Sequence, residues 1–134
     1  MKVPGNPVLL VEDNPDDALL MRRAWRKAGI CNQLLHAFSG VEAVDFLREA
    51  DACDLALLLL DTKMPRMDGF ETLQWVRRQG RHAKLPVIKM SASTLESDMA
   101  RAKELGATLY CVKPGTFAGL VEQLQGLQTR FGLS

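Results

Sequence analysis

The chain alternates short apolar runs with longer segments in which apolar positions recur every three or four residues, and this alternation predicts strands interleaved with helices. Strands are predicted over residues 8–11, 33–38, 55–60, 87–90 and 108–112. Most are apolar at successive positions, as strands covered on both faces of a parallel sheet must be. Residues 33–38 are poorer in β-branched side chains and read as an edge strand. Between the strands, Ala18, Met21, Ala24, Trp25 and Ala28 share one helical stripe, with Arg22, Arg23, Arg26 and Lys27 on other faces and Gly29 where the helix should end. Val41, Val44 and Leu47 repeat the pattern, as do Phe70, Leu73 and Val76, then Leu95, Met99, Ala102 and Leu105. A last stripe runs from Phe117 through Leu120, Val121, Leu124 and Leu127 to Phe131, before Gly132. About five strand–helix units in succession predict an open, doubly wound α/β sheet, whose ligand sites lie beyond the carboxyl ends of its strands.

Composition narrows the function classes. With 134 residues, 47% of them hydrophobic and 25% charged, the sequence describes one globular domain able to bury a core. No Pro-, Gly- or Ser-rich linker, internal repeat or low-complexity tract interrupts residues 1–134, so a single domain without an attached output domain is expected. Lys and Arg number 17 against 16 Asp and Glu, a net charge of +1, so no overall bias favours nucleic acid or an anionic membrane. The absence of any signal-like or bilayer-length apolar stretch leads to the expectation of a cytoplasmic protein. Cys31, Cys53 and Cys111 form neither a CxxC pair nor a zinc-ligand spacing, and are expected to be reduced thiols, Cys111 in the core.

If the predicted sheet carries a reactive site, unusual polar residues should gather at the strand ends, and they do. The first strand ends in Glu12 and Asp13, the third in Asp61, the fourth in Ser91 and the fifth in Lys113 followed by Pro114, whereas Ser39 and Gly40 after the second offer nothing comparable. Each has an ordinary explanation alone. Asp13 or Asn14 suits a helix N-cap before Pro15, Asp16 and Asp17; Asp61 suits a turn toward Pro65; Asp68–Gly69 is itself a turn signal. Ser91 suits a local hydrogen bond, with Ser93 or Thr94 equally able to cap the next helix, and Lys113 suits a solvated surface. None of these roles predicts acids at the first and third strand ends together with a lysine at the fifth. Clustered carboxylates repel one another unless a cation is present, and an all-oxygen site suits a hard ion such as Mg²⁺. A carboxylate can act as a nucleophile toward phosphorus, with metal, hydroxyl and amine taking up charge on the transferring oxygens.

Four segments carry a resemblance to a known family: LLVEDN at 9–14, LLLLDTKMPRMDG at 57–69, PVIKMSAS at 86–93 and GATLYCVKP at 106–114. Over essentially its whole length the sequence resembles the receiver domain of two-component response regulators, of the stand-alone, CheY-like type. The resemblance implies a flavodoxin-like (βα)5 three-layer sandwich with a five-stranded parallel sheet of order 2-1-3-4-5. It implies that Asp61 accepts a phosphoryl group from a phosphohistidine on a sensor histidine kinase or a His phosphotransfer protein. Asp13, Asp61 and the main-chain carbonyl of Lys63 would hold Mg²⁺, with Glu12 acting through metal-bound water. Ser91 and Lys113 would bind phosphoryl oxygens, and Ser91 with Tyr110 would switch the face formed by the last helices and last strand. The family often has a cis bond before the proline matching Pro114.

The same resemblance implies a signalling protein with at most slow self-catalysed phosphotransfer and dephosphorylation, rather than an enzyme. Its expected partners are the kinase, a downstream protein target and a second copy of the chain. The run LVEDNPDDALLMRRA also resembles stand-alone regulators that accompany bacterial phytochrome kinases. Three departures stand out: Lys63 two positions after the acceptor, Ser91 in place of the more frequent threonine, and Lys89 within a strand expected to be covered on both faces. Two alternatives compete. One is a degenerate receiver that binds partners without taking phosphate, but neither acid nor lysine is lost. The other is a haloacid-dehalogenase-type phosphatase, which needs a second aspartate where this chain has Lys63.

Overall fold

The computed structural model describes residues 5–49, 54–61, 69–92 and 94–134. In chain order the elements are β1 (Val8–Val11), α1 (Pro15–Lys27), β2 (Leu34–Ala37), α2 (Gly40–Arg48), β3 (Leu57–Asp61), α3 (Gly69–Arg78), a 3-10 turn (Gly80–His82), β4 (Val87–Ser91), α4 (Glu96–Glu104), β5 (Leu109–Val112) and α5 (Phe117–Phe131). The strands form one sheet in the order β2-β1-β3-β4-β5, every neighbouring pair parallel. The doubly wound reading of the periodicity is therefore correct, and residues 33–38 do supply an edge strand.

Because side chains alternate across a strand, the sheet has two buried faces and two cores. Leu10, Leu57, Leu59, Ile88 and Met90 pack beneath α1 and α5 with Met21, Trp25 and Leu124. On the opposite face Leu9, Val11, Leu58, Leu60 and Val87 meet Leu47, Leu73 and Val76 from α2 and α3. The helix ends follow local chemistry. Asn14 Oδ1 accepts from the amides of Asp16 and Asp17, Ser39 Oγ from Glu42, and Thr116 Oγ1 from Gly119. Gly29 (φ 80°) and Gly132 (φ 66°) supply the left-handed turns that release α1 and α5.

Some expectations need correction. In α2 the buried residues are Gly40, Ala43, Val44 and Leu47, while Val41 is exposed, so the apolar stripe is displaced from the one predicted. Helix α4 begins at Glu96, after an N-cap Leu95 that is 63% exposed and makes no side-chain cap bond, and Ala102 is its only buried residue. Ser93 lies outside the described residues. Cys111 is half-buried on the edge strand β5 instead of fully in the core; Cys31 is exposed, and neither is bonded to another cysteine. Cys53 lies outside the described residues. Among the described residues no helix is long and apolar enough to cross a membrane.

Candidate functional site

Parallel pairing with this register brings distant residues to one edge of the sheet. Val11 lies beside Leu60, Asp61 beside Met90, and Ser91 beside Val112, so Glu12, Asp61, Ser91 and Lys113 all sit at the carboxyl ends of adjacent strands. A backbone bond from Lys113 N–H to the Ser91 carbonyl (2.8 Å) ties the last two of these ends together. The result is a cavity of about 560 Å³ lined by Glu12, Asp13, Asp17, Asp61, Ser91 and Lys113 among others. Every strand-end residue singled out from the sequence reaches this one crevice. Lys63 lies outside the described residues.

Asp61 is 4% exposed, and Lys113 Nζ lies 2.9 Å from its Oδ1. Burial alone would lower the Lys113 ammonium; the charge and hydrogen bond of Asp61, with the charges of Glu12 and Asp17, outweigh it and leave the amine raised. Glu12, 3% exposed, accepts a bond from the Asn14 amide through Oε1 (3.0 Å). Its carboxyl is pushed up to about 9, first by burial and then by its hydrogen bond to Asp61 and the charge of that neighbour. Taken as an ionised pair, the two acids leave Asp61 Oδ2 buried with no donor; a proton held on Glu12 supplies one. Two acids that cannot both ionise comfortably, one with an orphaned oxygen, are the donor set of a site that wants a cation. Among the described residues no three His, Cys, Asp or Glu side chains converge as a cage. The oxygen-lined wall of Glu12, Asp13 and Asp61 suits a hard ion that takes few carboxylates and keeps water, as Mg²⁺ does.

A model of the family described as "Response regulator receiver domain" matches residues 8–125. The chain belongs to this family. At 32% identity, and over 90% of this chain and 80% of the relative, the receiver is similar to a probable methanogenesis regulatory protein, FilR2, of Methanothrix harundinacea. Among solved structures it is similar to RPA3017, a response regulator in red light signalling of R. palustris (29% identity, TM-score 0.84, 92% of this chain and 91% of that one). It is equally similar in fold to the phosphorylated cyanobacterial phytochrome response regulator RcpA (26%, 0.84, 96% and 94%). The Mn²⁺-bound response regulator Rcp1, a protein of Synechocystis, matches at 27% identity and TM-score 0.78 over 94% and 93% of the two chains. Rcp1, a receiver of similar fold, thus holds a divalent metal ion.

The geometry resolves the capping question and adds a residue. Asn14, not Asp13, caps α1, which leaves the exposed Asp13 carboxylate on the crevice wall. Asp17 also lines the crevice and bears on Lys113. It lies four residues after Asp13, one turn further along the same side of the chain's entry into α1, and that spacing was the available signal. Tyr110 sits on β5 beside Lys89, on the face opposite Leu109 and Cys111. The Lys113–Pro114 bond is trans, against the expectation of a cis bond; trans is the form the peptide prefers unless its surroundings override it.

Proposed function

We propose that Asp61 is the phosphoacceptor of a response regulator, and that the phosphoryl group comes from a phosphohistidine on a sensor histidine kinase or phosphotransfer protein. The observation that carries the reading is the buried Asp61, with Lys113 on one oxygen and no donor on the other, at the floor of a crevice walled by Glu12, Asp13 and Ser91. In the transfer, an Asp61 oxygen bonds to phosphorus as the phosphorus–nitrogen bond to the donor imidazole breaks, and the electron pair leaves with nitrogen. Lys113 passes from the carboxylate to a phosphoryl oxygen, and the Ser91 hydroxyl donates to another. Mg²⁺ would be held by Asp13, Asp61 and the Lys63 carbonyl, with Glu12 acting through water. When bound, the ion neutralises charge on the transferring oxygens. In hydrolysis a water oxygen bonds to phosphorus as the Asp61 oxygen–phosphorus bond breaks, releasing inorganic phosphate and restoring the carboxylate, so the chemistry resets a signal instead of turning over a metabolite.

Phosphorylation biases two packings of the face formed by β5, α4 and α5, with Ser91 and Tyr110 as the moving parts, and a downstream protein or a second copy of the chain reads the difference. The likeness to regulators of red light signalling and of phytochrome supports a phytochrome-type kinase as donor. The test is incubation with a radiolabelled small phosphodonor with and without Mg²⁺. Label that is acid-stable, base-labile, metal-dependent and lost in Asp61→Asn is expected; label retained in that variant would overturn the assignment. Light scattering with and without phosphodonor reports dimerisation.

A further inference from the structure

Lys89 is the residue that the sequence left unexplained. It is 4% exposed in the centre of β4, where an ammonium is stable only if it is held. Its Nζ donates to the carbonyl of Met90 (3.3 Å) and lies 5.7 Å from the centroid of the Phe70 ring. The Met90 carbonyl belongs to the peptide that carries Ser91, the hydroxyl assigned to the phosphoryl group. Phe70 stands in the first turn of α3, immediately after the segment that follows Asp61. The guanidinium of Arg101, on α4, contacts the same ring at 4.7 Å. One aromatic ring therefore links three elements: β4 at the phosphate-binding end, α3 at the acceptor end, and α4.

Little of helix α4 is buried. Ala102 is its only buried residue, its N-cap is Leu95 without a side-chain bond, and Arg101 is an exposed residue whose head group is spent on Phe70. A cation over an aromatic face contributes modestly at such a site, enough to matter to a helix with a single buried residue.

We propose that Lys89, Phe70 and Arg101 form a cation–π relay that couples the Met90–Ser91 peptide to the position of α4. All three are positioning residues for the switch; none touches the reacting atoms. The inference rests on the phosphoacceptor reading of Asp61 for its functional meaning, but the link itself exists in the unphosphorylated protein and can be measured there.

The experiment is amide hydrogen exchange of residues 96–104, with and without Mg²⁺ and beryllofluoride as a phosphoryl mimic, mimic binding being followed separately by fluorine NMR. Without the mimic, Arg101→Gln and Phe70→Leu should each speed exchange in α4 by roughly two- to fivefold. The double variant should go no further than the faster single one, because both remove the same contact. With the mimic bound, α4 exchange should respond in the native protein, fail to respond in Phe70→Leu and Lys89→Met, and respond again in Phe70→Tyr, which keeps the aromatic face. Unchanged α4 exchange in Arg101→Gln, or a native-like response to the mimic in Phe70→Leu, would overturn the relay. Arg101 is exposed, so its variant tests the link even if a core variant fails to fold. Failure of the mimic to bind the native protein would count against the phosphoacceptor reading, while the mimic-free arm would still decide the relay.

Discussion

Replacing Asp61 by asparagine should stabilise the metal-free protein while abolishing its proposed chemistry. The Glu12 carboxyl titrates at about 9 in the fold against an ordinary value of 4.5. The folded state therefore binds this proton more tightly than the unfolded chain. The contribution of Glu12 to stability is fully present below pH 4.5 and is lost as pH rises through the window to about 9, by up to ~1.4 kcal/mol per pH unit. At pH 7 the accumulated cost has an upper bound of roughly 3 kcal/mol. Burial is the larger cause and persists in the variant; the hydrogen bond to Asp61 favours the neutral Glu12 and can be kept by the asparagine amide oxygen, while the charge of Asp61 opposes ionisation, and its removal should return on the order of 1 kcal/mol at pH 8. Lys113 loses its partner at small cost, since its side chain is 28% exposed and can turn to water. The assay is urea unfolding in EDTA at several pH values between 5.5 and 8.5. The native protein should lose stability across that range, and Asp61→Asn should be more stable at pH 8 with a shallower slope. A variant less stable than the native protein at pH 8, or a native profile flat in pH, would refute the argument.

Other outcomes follow from the same contacts. Lys113→Met leaves the buried Asp61 carboxylate without its cation, with the Glu12 proton as its remaining donor, and should cost about 2 kcal/mol in EDTA, the opposite sign to Asp61→Asn, by the same unfolding assay. Mg²⁺ binding should release protons between pH 6 and 8, because a cation beside Asp61 displaces the proton held on Glu12; calorimetry in buffers of different ionisation enthalpy should give a buffer-dependent heat, and a buffer-independent one would contradict it. Iodoacetamide should label the exposed Cys31 well before Cys111, whose thiol is raised by burial, as peptide mapping of partly alkylated protein will show. Gly106→Ala should destabilise by about 2 kcal/mol or more, since φ is 101° and the new Cβ would sit 2.9 Å from Arg77 Cγ, in a side chain pinned to the carbonyls of Gly106 and Leu85.

What was legible in the sequence was whatever a single strand or helix decides for itself. The apolar runs gave β1 its full extent and β3, β4 and β5 to within two residues, because β1 and β3 are buried on both faces and leave no polar interruption, and β4 and β5 stop where Ser91 and Lys113 follow their apolar runs. The crevice residues were legible because each is a polar side chain where an apolar run stops, and parallel topology alone then brings them together. Features that depend on several elements at once were not. The exposed Val41 and the sparse burial of α4 depend on how each helix lies on the sheet, which periodicity does not fix. Arg77, bonded to carbonyls around the 3-10 turn and to Gly106, reads in the sequence as one more arginine at the end of α3. The burial of Lys89 against Phe70 needed the fold, because a lysine in a strand gives no local sign of the ring that will hold it.

The central claim is that one carboxylate, Asp61, receives the phosphoryl group in a crevice that suits a divalent cation. Borohydride trapping tests it most directly: reduction of an acyl phosphate converts the acceptor aspartate to homoserine, which peptide mass spectrometry locates. Treatment with acetyl phosphate and Mg²⁺ should place homoserine at position 61 alone, and EDTA should abolish it. Homoserine at position 13 or 17, or trapping undiminished by EDTA, would contradict the account.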